Sequence, residues 1–390
     1  MTMEKIISEN KAWIDEVWEK LDKKLQVVSE RSYDKIPYTT LGGVHDNKLE
    51  EKCDTPELID RGAVWWTNGF WPGMMWLMYA GTGNEQYKKV GKHAEELLDA
   101  AFKQYDGLHH DVGFMWNISS GADYRLTGSR EARLRTIYAA DILAARYNPM
   151  GNFIRSWNAD HVGWVIIDSM LNIPLLYWAS REFGDDRYKA MALNHADTVM
   201  RTHIRPDGSV RHIVSLDPET GEFIEDFGGQ GYAQGSSWSR GQTWALYGFV
   251  LSYIHTGKQE YLDTAKKVAH YFIANVAGDW APRVDFRSPE EPVYYDSTAA
   301  ACAACGLIEI AKAVDEYEKP LYMNAAMNLL KTIEERWCNW DMDEDSIVQM
   351  GTEAYYPGGG DKGRHIPIIY GDYYFIEAIY KLRGNDILFW

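Results

Sequence analysis

The stretch Tyr79-Ala80-Gly81-Thr82-Gly83-Asn84-Glu85-Gln86-Tyr87 decides the fold, because its pattern is that of one helix ending and the next beginning. Glycines and short polar residues placed between apolar-periodic segments stop a helix. Two further stretches follow the same plan, at residues 180–188 (SREFGDDRY) and 253–261 (YIHTGKQEY). This weak internal repeat indicates a chain of helical hairpins.

Apolar residues at three- and four-residue spacing predict helices on both sides of these turns. The predicted segments are Glu4–Glu30, Gly73–Ala80, Glu85–Gln104, Ala132–Arg146, Val162–Phe183, Arg187–Thr202, Ser239–His255, Lys258–Val276, Ser297–Glu316, Leu321–Trp337 and Ile366–Leu382. About twelve helices in repeated pairs can close into a ring, so we predict an all-α fold, an (α/α)6 toroid or barrel of six helical hairpins. An open solenoid is the alternative. Closure is favoured because the long loops carry aromatic and acidic residues that a shared pocket would collect.

A small β-hairpin insertion is predicted within residues 208–225. Val210, His212 and Val214 alternate there, and residues 217–221 (DPETG) have the composition of a turn. No linker or change of composition divides the chain, so residues 1–390 are expected to form a single domain built around the barrel.

Charge and hydropathy exclude several classes of protein. The 390 residues are 46% hydrophobic, enough for a packed core, and the net charge is −17. A chain so negative is a poor partner for nucleic acid or for an anionic membrane surface. The first residues lack the apolar region of a secretory signal, no apolar run is long enough to cross a membrane, and four cysteines are few for this length. We therefore expect a cytoplasmic protein, either a monomer or a small homo-oligomer.

Aromatic residues are unusually abundant, with 16 Trp and 25 Tyr in the chain. They are concentrated in residues 65–73 (WWTNGFWPG) and recur at Trp157, Trp238 and Trp244, each time near an acid, an amide or an arginine. Sugars pack their C–H faces on aromatic rings and need polar partners for their hydroxyls. This pairing indicates a carbohydrate-binding cleft.

Asp168 is the best candidate for an acid catalyst. It lies within residues 164–176 (WVIIDSMLNIPLL), and apolar surroundings raise the pKa of a carboxyl and favour its protonated form. A carboxylic acid that keeps its proton near neutral pH can act as a general acid. The alternative is a buried aspartate that caps a helix or accepts hydrogen bonds from backbone donors.

Asp111 is a second candidate acid, directly after His109 and His110 and before an aromatic run. Two carboxylates that face one pocket are the arrangement used by glycosidases. The alternatives are a polar turn or half of a metal site. We expect no metal, because no further ligands follow at the usual spacing.

Arg240 and Trp244 lie four residues apart in a predicted helix and therefore share one face. A guanidinium beside an aromatic ring suits a sugar that bears a carboxylate. The alternative is a surface arginine beside an inward tryptophan. Gln230 and His212 are weaker polar candidates.

Five motifs, taken together, resemble the unsaturated glucuronyl hydrolases, glycoside hydrolase family 88. They follow in order from about residue 60 to residue 382, and they are Trp66-x-x-x-Phe70-Trp71-x-Gly73, His110-Asp111-x-Gly113-Phe114, Ile167-Asp168-x-x-Leu171-Asn172-x-Pro174-Leu175, Gln230-Gly231-Tyr232-Ala233 with Ser237-Trp238-x-Arg240-Gly241-Gln242-x-Trp244, and Tyr370-Gly371-Asp372-Tyr373-Tyr374. The resemblance implies a six-hairpin α/α barrel that needs no cofactor. Its substrate would be an unsaturated glycosaminoglycan disaccharide or a related short oligosaccharide made by a polysaccharide lyase.

The resemblance also implies an unusual reaction and a role for each candidate residue. The enzyme hydrates the 4,5 double bond of a non-reducing-end unsaturated uronic acid, after which the ring opens and the rest of the sugar is released. Asp168 would donate a proton to C4 and then deprotonate the water that adds at C5, while Asp111 would hold ring hydroxyls and tune Asp168. The substrate-binding residues would be Trp66, Phe70, Trp157 and Trp244 as stacking rings or walls, with His110, His212, Gln230, Arg240 and Lys362 as polar contacts. Arg240 is the best candidate for binding the uronate carboxylate.

Two departures from the family pattern are visible. Gly229 occupies a position where family members carry a histidine, which removes one expected substrate contact. In the loop 357–362 (PGGGDK), only Lys362 remains of two serines and a lysine that accompany preference for 6-sulfated chondroitin units. We therefore expect a different sulfation preference.

Three other functions remain open. An unsaturated rhamnogalacturonyl hydrolase would share the barrel and the chemistry but act on pectin fragments. A sugar epimerase on an α/α barrel would depend on histidines and leave Asp168 dispensable. A sugar-binding scaffold would leave the 4,5 double bond intact.

Overall fold

Helices make up most of the computed structural model, which describes residues 2–53, 59–356, 358 and 360–390. Glycines in the left-handed conformation end several of them, including Gly83, Gly184 and Gly257 in the three repeated turns. In chain order the helices are α1 (Met3–Glu9), α2 (Lys11–Arg31), α3 (Phe70–Thr82), α4 (Glu85–Phe102), α5 (Val112–Trp116), α6 (Ser120–Thr127), α7 (Arg130–Ala144), α8 (Ser169–Asn172), α9 (Pro174–Phe183), α10 (Asp186–His203), α11 (Ser239–Thr256), α12 (Gln259–Val276), α13 (Ser297–Ala313), α14 (Lys319–Trp337) and α15 (Ile369–Leu382).

These helices form two concentric layers. The inner layer consists of α3, the broken pair α5 and α6, the broken pair α8 and α9, then α11, α13 and α15, most of which are buried on every side. The outer layer consists of α4, α7, α10, α12 and α14, each packed against the inner helix that precedes it. The N-terminal helix α2 packs on the last inner helix, α15, and supplies the sixth outer position.

The ring is closed, because α15 contacts both α13 and α3. The chain is therefore an α/α barrel, which confirms the predicted fold class and rules out the open solenoid. One continuous hydrophobic core extends through the described residues from Ile6 to Trp390. No helix in the described part of the chain combines the length and apolar character needed to cross a bilayer.

Short strands lie in the loops at three places. Strand β1 (Thr40–Leu41) pairs with β2 (Val44–His45), and β3 (Tyr147–Asn148) pairs with β4 (Phe153–Ile154). The third place is an antiparallel sheet of β5 (Trp164–Ile166), β6 (Ile213–Leu216) and β7 (Phe223–Phe227), in that order. The expected hairpin is thus present as β6 and β7, and β5 extends it to three strands.

The predicted helix Val162–Phe183 is wrong in its first part. Trp164, Val165 and Ile166 form β5 and pair with β6, with Trp164 opposite Ser215. Aromatic and β-branched residues favour a strand once a partner strand is available, and helical periodicity alone does not reveal that partner. The helix begins only after Asp168, which therefore lies at a junction between a strand and a helix.

Two smaller differences concern helix boundaries. The predicted helix Glu4–Glu30 is divided at Asn10, whose side-chain amide donates a hydrogen bond to the carbonyl of Ile6. The short helices α5 and α6 lie in a segment for which the sequence predicts no helix. With 5 and 8 residues, α5 and α6 are too short for helical periodicity to be recognised in the sequence.

Candidate active site

Both candidate acids stand at the start of a short inner helix. Asp111 is the N-terminal cap residue of α5, and Asp168 is the N-terminal cap residue of α8. Neither side chain accepts a capping hydrogen bond from its own helix. The alternative in which Asp168 is satisfied as a helix cap is therefore excluded, and its carboxyl is available for other contacts.

His110 connects the two carboxyls. Its Nε2 lies 2.9 Å from Oδ1 of Asp168 and 3.2 Å from Oδ1 of Asp111. Its Nδ1 lies 3.1 Å from the carbonyl oxygen of Ser156, and because a carbonyl only accepts, Nδ1 carries a hydrogen. The ring is therefore fixed in orientation, with Nε2 directed at both acids. His110, Asp111 and Asp168 therefore form one cluster, although Asp168 lies far from the other two in the sequence.

Asn172 holds the two helices in register. Its side-chain amide donates to Oδ1 of Asp111 at 3.0 Å, and its carbonyl oxygen accepts from the backbone N–H of Phe114 at 2.8 Å. Helix α5 approaches Asn172 so closely that a Cβ atom at Gly113 would lie 2.6 Å from the Asn172 side-chain oxygen. Glycine is thus required at position 113, and Asp111 is oriented by a residue four positions after Asp168.

The electrostatic environment separates the two acids. Burial raises the pKa of Asp168, and the nearby negative charge of Asp111 raises it further. For Asp111, burial is outweighed by His110 and His109, which lower its pKa. For His110, burial is outweighed by the carboxyls of Asp111 and Asp168, which raise its pKa. Two neighbouring carboxyls with opposite pKa shifts are the pattern of one proton donor beside one permanent anion.

An inner cavity of about 170 Å³ lies against these acids. Its walls combine aromatic rings with polar groups, which is the composition that a sugar ring needs. The lining residues are Trp66, Asp111, Ile166, Asp168, Gln230, Trp238, Arg240 and Trp244. All but Ile166 and Trp238 are expected site residues.

An outer cavity of about 980 Å³ adjoins the inner one and shares Asp111 and Ile166 with it. His110 and Trp157, two of the expected contact residues, line the outer cavity. Asp111 therefore stands where the two cavities meet.

Arg240 is a fixed, buried cation. Its side chain is only 1% exposed, and Nη1 lies 2.8 Å from Oδ2 of Asp296. Nη1 also donates to the carbonyl of Thr352 at 2.6 Å, and Nη2 to that of Glu353 at 2.7 Å. The guanidinium lies 4.5 Å from the centre of the Trp238 ring. The alternative of a surface arginine is excluded, and Arg240 both lines the cavity and holds the surrounding loops.

His212 and Gln230 form a linked pair near this cation. Nδ1 of His212 lies 3.0 Å from the backbone nitrogen of Gln230 and 3.3 Å from the carbonyl oxygen of Gly228. A backbone N–H can only donate and is the nearer of the two, so Nδ1 accepts from Gln230 and the ring proton resides on Nε2. Burial lowers the pKa of His212 to about 3, so this ring is neutral. Its Nε2–H has no partner among the described residues. The Gln230 amide donates to the carbonyl of Glu353 at 2.6 Å.

The structure gives a physical reason for glycine at position 229. Gly229 has a φ of 56°, and a Cβ atom there would lie 2.2 Å from Nδ1 of His212. A histidine at this position would require both a strained backbone and a displaced His212 ring. In this chain, therefore, His212 occupies the space that a side chain at position 229 would need.

Three expected contact residues, His212, Phe70 and Lys362, line neither cavity. His212 packs against Trp238, with ring centres 4.2 Å apart. Phe70 is fully buried and packs edge-on against Trp66, with ring centres 6.0 Å apart. It supports the Trp66 ring from behind, so its expected role as a wall of the sugar site is corrected to a supporting one. Lys362 is exposed and lines neither cavity. Part of its loop, residues 357 and 359, lies outside the described residues.

The possibility of half a metal site depends on His109, His110 and Asp111, which offer ligand atoms within 4.8 Å of one another. Nδ1 of His109 lies 3.2 Å from Oδ2 of Asp111, while Nε2 of His110 faces two carboxyls. These side chains contact one another, and the expectation that they bind no metal stays a prediction. Two residues of the site, His109 and Asn172, were not singled out from the sequence. Their adjacency to Asp111 and Asp168 was the available signal.

Comparisons with known proteins show similarity to one family and to its fold. The family model of Glycosyl Hydrolase Family 88 matches residues 43–285. The unsaturated glucuronyl hydrolase of Bacillus sp. strain GL1 is 35% identical over 334 residues, which cover 83% of this chain and 88% of that protein. The unsaturated chondroitin disaccharide hydrolase of Streptococcus pneumoniae is 34% identical over 336 residues, 83% of each. The crystal structure of the Bacillus sp. GL1 unsaturated glucuronyl hydrolase superposes with a TM-score of 0.83 at 32% identity, covering 94% of this chain and 97% of that one.

Proposed function

The chain belongs to Glycosyl Hydrolase Family 88, and we propose that it acts as a hydrolase on unsaturated oligosaccharides released by glycosaminoglycan lyases. It hydrates the 4,5 double bond of the unsaturated glucuronic acid at the non-reducing end and releases that unit. One observation carries this proposal: a partly buried acid with a raised pKa and a buried carboxylate with a lowered pKa share one histidine beside an aromatic cavity.

The inner cavity suits the unsaturated ring. Its carboxylate needs a positive partner, and the guanidinium of Arg240 is fixed at the cavity wall. The rings of Trp66 and Trp244 supply faces for the flat part of the sugar. His212 lines neither cavity, and its ring packs on that of Trp238 with centres 4.2 Å apart, so it supports the cavity wall. Together these groups support recognition of an anionic, planar sugar.

Asp168 performs the chemistry in two proton transfers. Its carboxyl proton is transferred to C4 as the electron pair of the 4,5 double bond forms the new C–H bond. The positive charge left at C5 is shared with the ring oxygen. A water molecule then adds to C5, and the Asp168 carboxylate accepts its proton, so the acid is restored. One side chain, Asp168, therefore acts first as the general acid and then as the general base.

The product of hydration rearranges without further help from the protein. The C5 hemiketal opens to a ketone, which leaves a hydroxyl at C1 beside the glycosidic oxygen. That hemiacetal collapses to an aldehyde and releases the remaining sugar as an alcohol. Asp111 keeps its negative charge throughout, holds ring hydroxyls and maintains the raised pKa of Asp168.

Replacing Asp111 with asparagine is expected to move the alkaline limb of the pH profile of kcat/KM to lower pH. Burial and the Asp111 charge both raise the pKa of Asp168, and the substitution removes the second cause. His110 and His109 are the other titratable groups facing Asp168, and both lower its pKa. The pH dependence of double-bond loss, followed by ultraviolet absorbance, measures the shift. We also expect kcat/KM at the optimum to fall by about 10²-fold.

The matched control is Asp263→Asn, on the exposed side of α12. It makes the same chemical change and should leave the profile in place. An Asp111→Asn enzyme that loses rate but keeps the wild-type alkaline limb would mean that Asp111 positions substrate without tuning Asp168.

We expect no preference for 6-sulfated substrates. Lys362 is exposed and lies outside both cavities, and the two serines that accompany that preference are missing from its loop. Turnover of unsulfated and 6-sulfated unsaturated chondroitin disaccharides, compared at equal concentration, measures this directly. The kcat/KM values should agree within about threefold, and a strong advantage for the 6-sulfated substrate would refute the expectation.

The function itself is tested with a panel of substrates. Loss of the double-bond absorbance is followed for unsaturated disaccharides from hyaluronan, chondroitin and heparin, and for an unsaturated rhamnogalacturonan disaccharide. Turnover of the first group supports the proposal. Turnover of the last alone would assign the chain to pectin degradation, and binding without any loss of absorbance would indicate a sugar-binding scaffold.

We also propose a cytoplasmic location. Its support is chemical: Cys53, Cys302, Cys305 and Cys338 are all free thiols, as a reducing compartment maintains them. Cys302 and Cys305 are fully buried among core residues, which favours a packing role for both. A monomer or small homo-oligomer, without nucleic acid or membrane partners, is part of the same proposal.

A further inference from the structure

The outer cavity is much larger than the second sugar of a disaccharide requires. It measures about 980 Å³, whereas the inner cavity, which takes the unsaturated ring under the proposed function, measures about 170 Å³. A volume near 1,000 Å³ is at the upper end of the range for small-ligand sites. Since one ring occupies the inner cavity, the outer cavity has room for more than one further sugar.

One wall of the outer cavity is held in place by arginines behind it. This wall is the segment 156–160, which carries Trp157. Arg146 donates to the carbonyl of Trp157 at 2.6 Å and to the side-chain oxygen of Asn158 at 2.6 Å. Arg155 donates to the same Trp157 carbonyl at 2.8 Å. The wall is therefore a prearranged surface for sugar rings, as a binding site requires.

Arg61 is a cation in this cavity that the proposed reaction does not use. It is exposed to the cavity, and none of the described residues forms a hydrogen bond or ion pair with it. Of the other ionisable residues lining the cavity, His109, His110 and Asp111 contact one another at the catalytic end. Asp106 and Asp160 offer carboxylates that accept hydrogen bonds from sugar hydroxyls.

We propose that Arg61 binds the carboxylate of the next uronate when the outer cavity holds the internal sugars of a longer unsaturated oligosaccharide. The inference rests on the proposed function. Uronates alternate with amino sugars in glycosaminoglycans, so the third sugar of an unsaturated tetrasaccharide carries a carboxylate and a disaccharide has none beyond the unsaturated ring. Arginine binds carboxylates through paired N–H donors. The substrates of this chain therefore include tetrasaccharides, and Arg61 determines preference for length.

The test compares an unsaturated hyaluronan tetrasaccharide with the corresponding disaccharide, because neither carries sulfate. For the wild-type protein, kcat/KM should be at least about fivefold higher for the tetrasaccharide than for the disaccharide, and the ratio of these two values is the quantity compared between variants. Arg61→Gln keeps the length and polarity of the side chain but removes its charge, and should reduce this ratio by about fivefold. Arg130→Gln, at the exposed start of α7, makes the same change of net charge outside both cavities and should leave the ratio unaltered.

Binding gives a second readout that does not depend on turnover. Titration calorimetry of both oligosaccharides with Asp168→Asn, with and without Arg61→Gln, should give the same change in the ratio of Kd values. A wild-type ratio near one, or an unchanged ratio in Arg61→Gln, would overturn the inference while disaccharide turnover still upheld the proposed function. Absence of any turnover would overturn the function, and the Kd ratios would still decide the role of Arg61.

Discussion

Replacing Asp168 with asparagine is expected to lower kcat/KM for an unsaturated glycosaminoglycan disaccharide by about 10²–10⁴-fold, the range that a general acid contributes. The amide has nearly the shape of the carboxyl, and its oxygen can still accept the contact from Nε2 of His110. It has no proton to transfer to C4, however, and no basic oxygen to receive a proton from water. The loss lies in the chemical step, so kcat should fall while KM changes little.

The rate is measured as the decay of the double-bond absorbance, and unfolding in urea measures whether the fold is kept. Asp263→Asn serves as the control, since it makes the same change on the exposed side of α12. Normal turnover by Asp168→Asn would remove Asp168 from the mechanism. It would also favour a reaction in which histidines act as acid and base, as expected of an epimerase.

Replacing Arg240 with alanine is expected to lower the free energy of unfolding by about 3–5 kcal/mol, because it leaves a buried anion without its partner. Asp296 is fully buried and lies 2.8 Å from Nη1 of Arg240. The same substitution frees the carbonyls of Thr352 and Glu353, which Arg240 holds at 2.6 Å and 2.7 Å. From the sequence alone, the expected effect was on substrate binding. The structure adds a larger effect on stability.

Equilibrium unfolding in urea measures this change. Arg187→Ala provides the control, since its ion pair with Asp185 is at the surface, where solvent screens it, and its loss should leave stability nearly unchanged. The double variant Arg240→Met with Asp296→Leu should lose less stability than the two single variants together, because it leaves no unpaired charge. An Arg240→Ala protein that is as stable as the wild type and is impaired only in KM would contradict the structural role.

The fold could be predicted largely from local signals. The turns around Gly83, Gly184 and Gly257 end helices because glycine adopts the left-handed conformation without strain, and this signal is local to each turn. The strand β5 could not be predicted, because its partner β6 lies far along the chain. Local periodicity therefore indicated a helix, and Asp168 was assigned to the wrong type of element.

The direction of the Asp168 pKa shift could be predicted from the sequence, and the contacts of the candidate site could not. The apolar neighbours of Asp168 indicated a raised pKa, and the buried site agrees with that direction. The sequence did not reveal that His110 contacts both acids, or that Asn172 fixes Asp111, because these contacts depend on how α5 packs against α8. It also could not distinguish Phe70, which supports Trp66 from behind, from a ring that contacts sugar.

The central claim is that the Asp168 carboxyl keeps its proton to a higher pH than an ordinary aspartate while its neighbour is ionised. Carbon-13 NMR of aspartate carboxyls across a pH titration, with the Asp168 signal assigned by its absence from Asp168→Asn, measures this directly. The predicted result is a midpoint above 3.8, the ordinary value for this side chain. A midpoint at or below that value would contradict the account, because an acid already ionised at the working pH cannot protonate C4.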